Sequence, residues 1–170
     1  MALPGWTVRL LDADGFPPET GESYEENARA KARYGREVGP PGDWMLGEDS
    51  GIEVAALGGG PGVQSARWAE DPIGRLLAEL EGVADRRARY VCELVAIGPR
   101  GEERRGTGTL EGRIAEEPRG SEGFGYDPVF VPDGEGLTVA ELGNAWKRAN
   151  SHRARAAAAL ATAFGSLRGQ

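Results

Sequence analysis

An α/β or α+β domain with a mixed β-sheet is the fold class this sequence predicts, and three observations predict it. A capped, alanine-rich helix stands near the start. The stretch "ARYVCELVAIG" is apolar on both faces, as expected of a central strand, and a turn leads from it into the alternating run "ERRGTGTLEGRI". A second alanine-rich helical segment lies towards the end. Strands mixed with helices, two of them forming a hairpin, make one domain over residues 1–170.

Taken in order, "WTVRLL" at residues 6–11 reads as a first strand, and a Gly/Pro-rich loop follows it. Ser23 and Glu26 then form a capping box, with Ser23 accepting from the amide of Glu26 and Glu26 reaching back. The helix "YEENARAKARYGREV" carries a favourable Glu25–Arg29 pair and places Asn27 and Lys31 on one face. A short strand at residues 44–46 leads into an acidic turn, "EDSG", and residues 73–80 predict a short helix. "YDPVFVP" is a further short strand. In "SHRARAAAALATAFGSL", Ala156, Leu160, Ala163, Phe164 and Leu167 recur at helical spacing, so one face packs inward.

The 170 residues are 39% hydrophobic and 28% charged, with a formal net charge of −7. That balance fits a soluble protein and argues against a general nucleic-acid surface, which needs a basic face. A local cluster of Lys and Arg still suffices for a small phosphate ligand. The single Cys92 rules out an intramolecular disulfide and suits a reducing cytosol. No run approaches 18 apolar residues and the N-terminus lacks a signal-peptide profile, so neither a membrane span nor a signal peptide is expected, and the expected location is the cytoplasm.

Three segments are able to carry chemistry. In "EDSG", Glu48 and Asp49 read either as a surface turn or as strand-end carboxylates for a hard divalent cation such as Mg²⁺, which takes oxygen ligands. In "GSEGFGYDP", three glycines let the backbone approach a flat ligand, while Phe124 and Tyr126 offer rings for stacking. The alternative there is a loop whose aromatics plug the core edge. In "WKRANSHRARA", Ser151 is a candidate N-cap that puts His152 and Arg153 in a first helical turn, with Lys147 upstream. Cations at a helix start are unfavourable unless an anion is present, so a solvated basic turn competes with a ligand contact. "GGGPG" lacks the Lys-Ser/Thr of a P-loop, and Ser50 has no base spaced to make it a nucleophile.

Together, "ETGESYEENARAKA", "EDSGIEVAALGGGPGVQSARWA", "GFGYDPVF" and Lys147 followed by "SHRA" resemble the Ham1-like family of inosine/xanthosine triphosphate pyrophosphatases. The four motifs occur in family order. The resemblance implies an elongated α/β fold around a mixed sheet flanked by helices, a homodimer, and Mg²⁺-dependent hydrolysis of non-standard purine nucleoside triphosphates to the monophosphate and pyrophosphate. By position it makes Asp49 the general base and a metal-linked carboxylate, with Glu19 as a second metal ligand and Ser50 beside the substrate. Phe124, Gly125, Tyr126 and Asp127 form the base pocket. Lys147 approaches the phosphates or the sugar side, His152 and Arg153 the purine's oxo edge, and Lys31 and Arg67 the substrate. Neither nucleic acid nor a membrane is implied as a partner.

The sequence departs from the family in three places. A strand followed by a Ser/Thr-x-Asn-x-x-Lys loop does not occur before Glu19, so the fold is expected to be truncated at its N-terminus and its phosphate contacts weakened. Pro18 stands where an acidic residue precedes "ETG", and Gln64 replaces a tyrosine. The alternative to an enzyme is a catalytically weak nucleotide-binding or dimerising protein that retains the purine pocket.

Overall fold

Ser23 starts the first helix as expected. Its hydroxyl accepts from the Glu26 amide at 3.2 Å, and α1 runs over Tyr24–Val38. The return half of the box is shifted by one residue, because the Glu26 carboxylate accepts from the amide of Glu22 and not of Ser23. The computed structural model describes Leu3 and residues 5–165. Leu167, assigned above to the final apolar stripe, lies outside the described residues.

Four strands form one sheet in the order β1-β2-β3-β4, with β1 at Met45–Val54, β2 at Arg87–Ile97, β3 at Glu103–Ile114 and β4 at Phe130–Pro132. The β2–β3 hairpin is fixed at its ends by the Gly98 amide on Glu102 O and the Ile114 amide on Arg86 O. β3 and β4 pair antiparallel, Gly112 opposite Pro132. The expected α/β class, a sheet flanked by helices, holds. Residues 6–11 form no strand. Leu10 is 92% exposed there, and with no neighbouring ladder to satisfy its backbone the segment stays irregular.

The remaining helices are α2 at Pro72–Glu79, α3 at Val139–Asn150 and α4 at His152–Gly165. Asp71 caps α2 on the Gly74 amide, with Pro72 at the first helical position. The sequence reading missed α3. Thr138 and Glu141 make a complete capping box there, but Gly143, at φ 82°, breaks the helix one turn later and interrupts its periodicity.

The chain divides into two compact units. One comprises Met1–Asp49, Cys92–Gly108 and Arg153–Gln170, and the other Ser50–Val91 and Thr109–His152. In the first, the part of β2 from Cys92 onward is buried on both faces with the period of two that a strand dictates. Cys92, Leu94 and Ala96 pack with Ala156, Ala157 and Leu160 of α4, whereas Val95 and Ile97 pack with Ala28 and Ala32 of α1. Each fully buried Leu or Val contributes about 1.5–3 kcal/mol. Two glycines permit this packing. A Cβ at Gly47 would stand 1.9 Å from Ala28 O, and one at Gly106 would stand 2.3 Å from Ala156 O. In the second unit, Ile52, Val54, Tyr90, Leu110, Val129 and Phe130 form a core sealed by Leu76 and Leu80 of α2.

Candidate active site

β1 decides how the two adjacent acids are used. They stand in mid-strand, neither in a surface turn nor at a strand end, because the ladder continues through them to Val54. Successive side chains of a strand point to opposite faces, so Glu48 and Asp49 meet different neighbours.

Asp49 is 6% exposed and faces α1. Asn27 donates through Nδ2 to one carboxylate oxygen at 3.0 Å, and Lys31 donates through Nζ to the other at 3.0 Å. These donors lie one helical turn apart on α1, which is why a single helix face holds both oxygens. Asn27 is itself anchored, its Oδ1 accepting from the Gly21 amide at 2.8 Å. Lys31 also donates to Glu48 O at 2.8 Å and pairs with Glu19 at 2.5 Å. Burial disfavours the Lys31 ammonium, but the hydrogen bonds and charges of Glu19 and Asp49 outweigh that cost. Its pKa lies above the ordinary 10.5.

Glu48, on the opposite face, accepts from Arg153 Nε at 3.0 Å, with Cys92 Sγ at 3.7 Å. Burial, with help from the charge of Glu48, pushes the Cys92 thiol far up, so it is a core residue and not a nucleophile.

The oxygens around Lys31 bear on metal binding. Glu19, Asp49 and the Glu48 carbonyl all approach one ammonium, an all-oxygen set of the kind a hard cation takes. Among the described residues no group of three or more His, Cys, Asp or Glu is placed to hold an ion. Two carboxylates, Glu19 and Asp49, nevertheless match the habit of Mg²⁺, which commonly takes one or two from protein and the rest from phosphate and water.

The second unit carries the glycine-rich loop, residues 120–127. Asp127 organises it. One of its oxygens accepts from the Phe124 amide at 2.8 Å and from Lys147 Nζ, and the other from Tyr90 Oη at 3.3 Å. A Cβ at Gly123, whose φ is 84°, would meet that carboxylate at 2.2 Å. Phe124 is 63% exposed, and Lys147 Nζ lies 3.8 Å from its ring centre. Tyr126 differs from the expectation: its ring is 5% exposed in the core and its hydroxyl donates to Ser65 O at 3.2 Å. Burial pushes its pKa up to about 12. It braces the loop and offers no face for stacking. Gly125 is exposed at the loop tip, with φ 58°.

Ser151 is the extended residue between α3 and α4, and its amide closes α3 on Lys147 O. His152 is 3% exposed and stacks on Tyr90, ring centres 4.6 Å apart and planes 16° from parallel. Arg67 is exposed beside Gln64, donating to its Oε1 at 2.7 Å, and Ser50 is half-buried on β1. The sequence reading missed two contributors. Asn27 had a usable signal, its spacing from Lys31; Tyr90 had none, being one aromatic in an apolar run.

The sequence model of the Ham1 family matches residues 4–163. The chain belongs to the Ham1 family. Among relatives, it is 52% identical to the dITP/XTP pyrophosphatase of Symbiobacterium thermophilum over 166 residues, covering 93% of this chain and 82% of that one. It is 45% identical to the dITP/XTP pyrophosphatase of Deinococcus radiodurans, covering 98% and 84%. Among solved structures, the Ham1 protein of Staphylococcus aureus superposes with a TM-score of 0.83 at 37% identity, covering 91% of this chain and 82% of that one. A nucleoside-triphosphatase, dITP/XTP pyrophosphatase, from Mycobacterium abscessus gives 0.73 at 43% identity, covering 88% and 80%. No helix among the described residues of this Ham1 chain is long and apolar enough to cross a membrane.

Proposed function

We propose that this chain hydrolyses oxo-purine nucleoside triphosphates (ITP, dITP and XTP) to the monophosphate and pyrophosphate. The observation that carries the reading is Asp49, a buried carboxylate held by Asn27 and Lys31 in a Ham1-family chain whose relatives are named dITP/XTP pyrophosphatases.

Asp49 acts as general base. With both oxygens oriented by α1, it takes a proton from a water as that water's oxygen bonds to the α-phosphorus, and the bond to the β-phosphate oxygen breaks to release pyrophosphate. Orientation of this kind contributes by fixing the base before the reaction begins. Lys31 keeps the two carboxylates compatible in one place and supplies positive charge towards phosphate. Glu19 and Asp49 are the residues that would hold Mg²⁺, which when bound offsets phosphate charge. Ser50 and Arg67 are assigned to the substrate.

In the glycine-rich loop, the exposed Phe124 ring and the open Gly125 suit a flat base. Asp127 and Tyr126 hold that loop, and Lys147 is assigned to the phosphate or sugar side. His152 and Arg153 are assigned to the oxo edge, where adenine, with an amine in place of the oxygen, leaves a donor unpaired. The same reading includes a homodimer, carried by the family resemblance, and a cytoplasmic location, which the single cysteine suits.

Product analysis tests the reaction type. With ITP and Mg²⁺, the expected products are IMP and pyrophosphate. IDP with inorganic phosphate contradicts the proposal, and IMP binding without turnover supports the nucleotide-binding alternative.

A further inference from the structure

Tyr90 belongs to β2, in the middle of the apolar core of its unit, where Phe130 packs 4.4 Å from its ring. A hydroxyl in such a place costs free energy unless it is hydrogen-bonded, so a phenylalanine would fill the core with less penalty. Tyr90 instead aims its Oη at Asp127, 3.3 Å away. That carboxylate is 2% exposed and carries the Phe124 amide and Lys147 on its other oxygen. The opposite use of Tyr90 is its ring, which lies under His152 at 4.6 Å. One side chain therefore touches both the anchor of the glycine-rich loop and the histidine assigned to the purine edge.

We propose that Tyr90 is a positioning residue for purine recognition: its hydroxyl fixes Asp127, and thereby the Phe124 loop and Lys147, while its ring sets the plane of His152. The proposal rests on the purine reading of the loop given above. Tyr90 is 7% exposed, so its part in recognition is indirect. It acts by narrowing the orientations of the groups assigned to the purine, which affects binding and discrimination between bases and leaves the Asp49 chemistry as it is. A hydrogen bond and a ring stack from the same residue also make the two effects separable, since phenylalanine keeps the stack and loses only the bond.

Tyr90→Phe is the test, read in two ways. In the protein without ligand, amide hydrogen exchange over residues 120–127 is expected to quicken about fivefold, the loss corresponding to one hydrogen bond of ordinary net strength. In turnover, KM for ITP is expected to rise by a similar factor with kcat within about twofold, and the preference for ITP over ATP to narrow. Unchanged exchange, or a fall in kcat with KM and base preference unaltered, overturns the positioning role. A wild-type chain that does not bind IMP overturns the purine reading instead, and the exchange measurement still decides the contact to Asp127. Should Tyr90→Phe fold poorly, Asp127→Asn probes the same bond from its acceptor. In a double-mutant cycle the Tyr90→Phe effect is expected to vanish in the Asp127→Asn background, and full additivity counts against the proposal.

Discussion

Lys31 Nζ lies 3.0 Å from Asp49 Oδ1 and 2.5 Å from Glu19 Oε1, so one ammonium on α1 is shared by two carboxylates that reach it from different segments. The arrangement raises the Lys31 pKa, and the sign of its effect on stability follows. A group whose pKa is higher folded than unfolded contributes stability below the unfolded value and loses it as pH rises through the folded one. Tyr126, at about 12 against an ordinary 10, adds a loss of the same sign over pH 10–12. Thermal melts of the wild type and of Lys31→Met at intervals above pH 9.5 separate the two. The difference between the curves is expected to shrink as pH passes above about 10.5, while the Tyr126 component remains in both.

Asn27 ties Asp49 to the chain before α1, through one hydrogen bond on each end of its amide. Asn27→Ala removes both and leaves a buried carboxylate oxygen without that donor. Unfolding in urea is expected to show a loss of about 2–4 kcal/mol, and kcat is expected to fall more than KM changes.

Gly47 is where β1 and α1 come closest. Gly47→Ala sets a methyl 1.9 Å from Ala28 O, which only movement of the helix relieves. A loss of at least about 1–3 kcal/mol is expected, from overpacking alone. Because α1 carries Asn27 and Lys31, activity should fall with stability. Gly42→Ala, at a glycine with open space around its Cβ, is the control and is expected to change little.

Phe124→Ala tests the ring at the tip of the loop. Stacking of a base on an aromatic side chain is worth about 1–3 kcal/mol, so Kd for IMP, measured by calorimetry, is expected to rise about 5- to 150-fold. The melting temperature should hardly move, because the ring is largely exposed.

The parts of the fold written in local rules were legible in the sequence. Ser23 and Glu26 mark the start of α1, and the doubly apolar β2 declares itself through Cys92 to Ile97. Long-range partners were not. Residues 6–11 have the pattern of a strand, yet a strand forms only where another chain segment offers its ladder, and no local rule reveals that. β1 was divided at Glu48 and Asp49 because Asp, Ser and Gly signal a turn, and the pairing that carries the strand through them is non-local. α3 was hidden by Gly143, although the Thr138–Glu141 box stood in plain view. In the candidate site, Asp49 and Lys31 could be named from motif positions, and Phe124 from the glycines beside it. The pairing of Glu48 with Arg153, the burial of Tyr126 and the double contact of Tyr90 belong to tertiary packing alone.

Asp49 is proposed as the base of an oxo-purine triphosphate pyrophosphatase. The most direct measurement is pyrophosphate release with Mg²⁺ from ITP, XTP, GTP and ATP, for the wild type and for Asp49→Asn, with folding of the variant checked by circular dichroism. The expected result is kcat/KM for ITP and XTP well above that for ATP, whose amine leaves the oxo-edge donors unpaired. A loss of about 10²–10⁴-fold or more is expected in the variant, the usual worth of a positioned general base. Equal rates on ATP and ITP, or a folded Asp49→Asn protein that keeps its activity, would contradict the proposal.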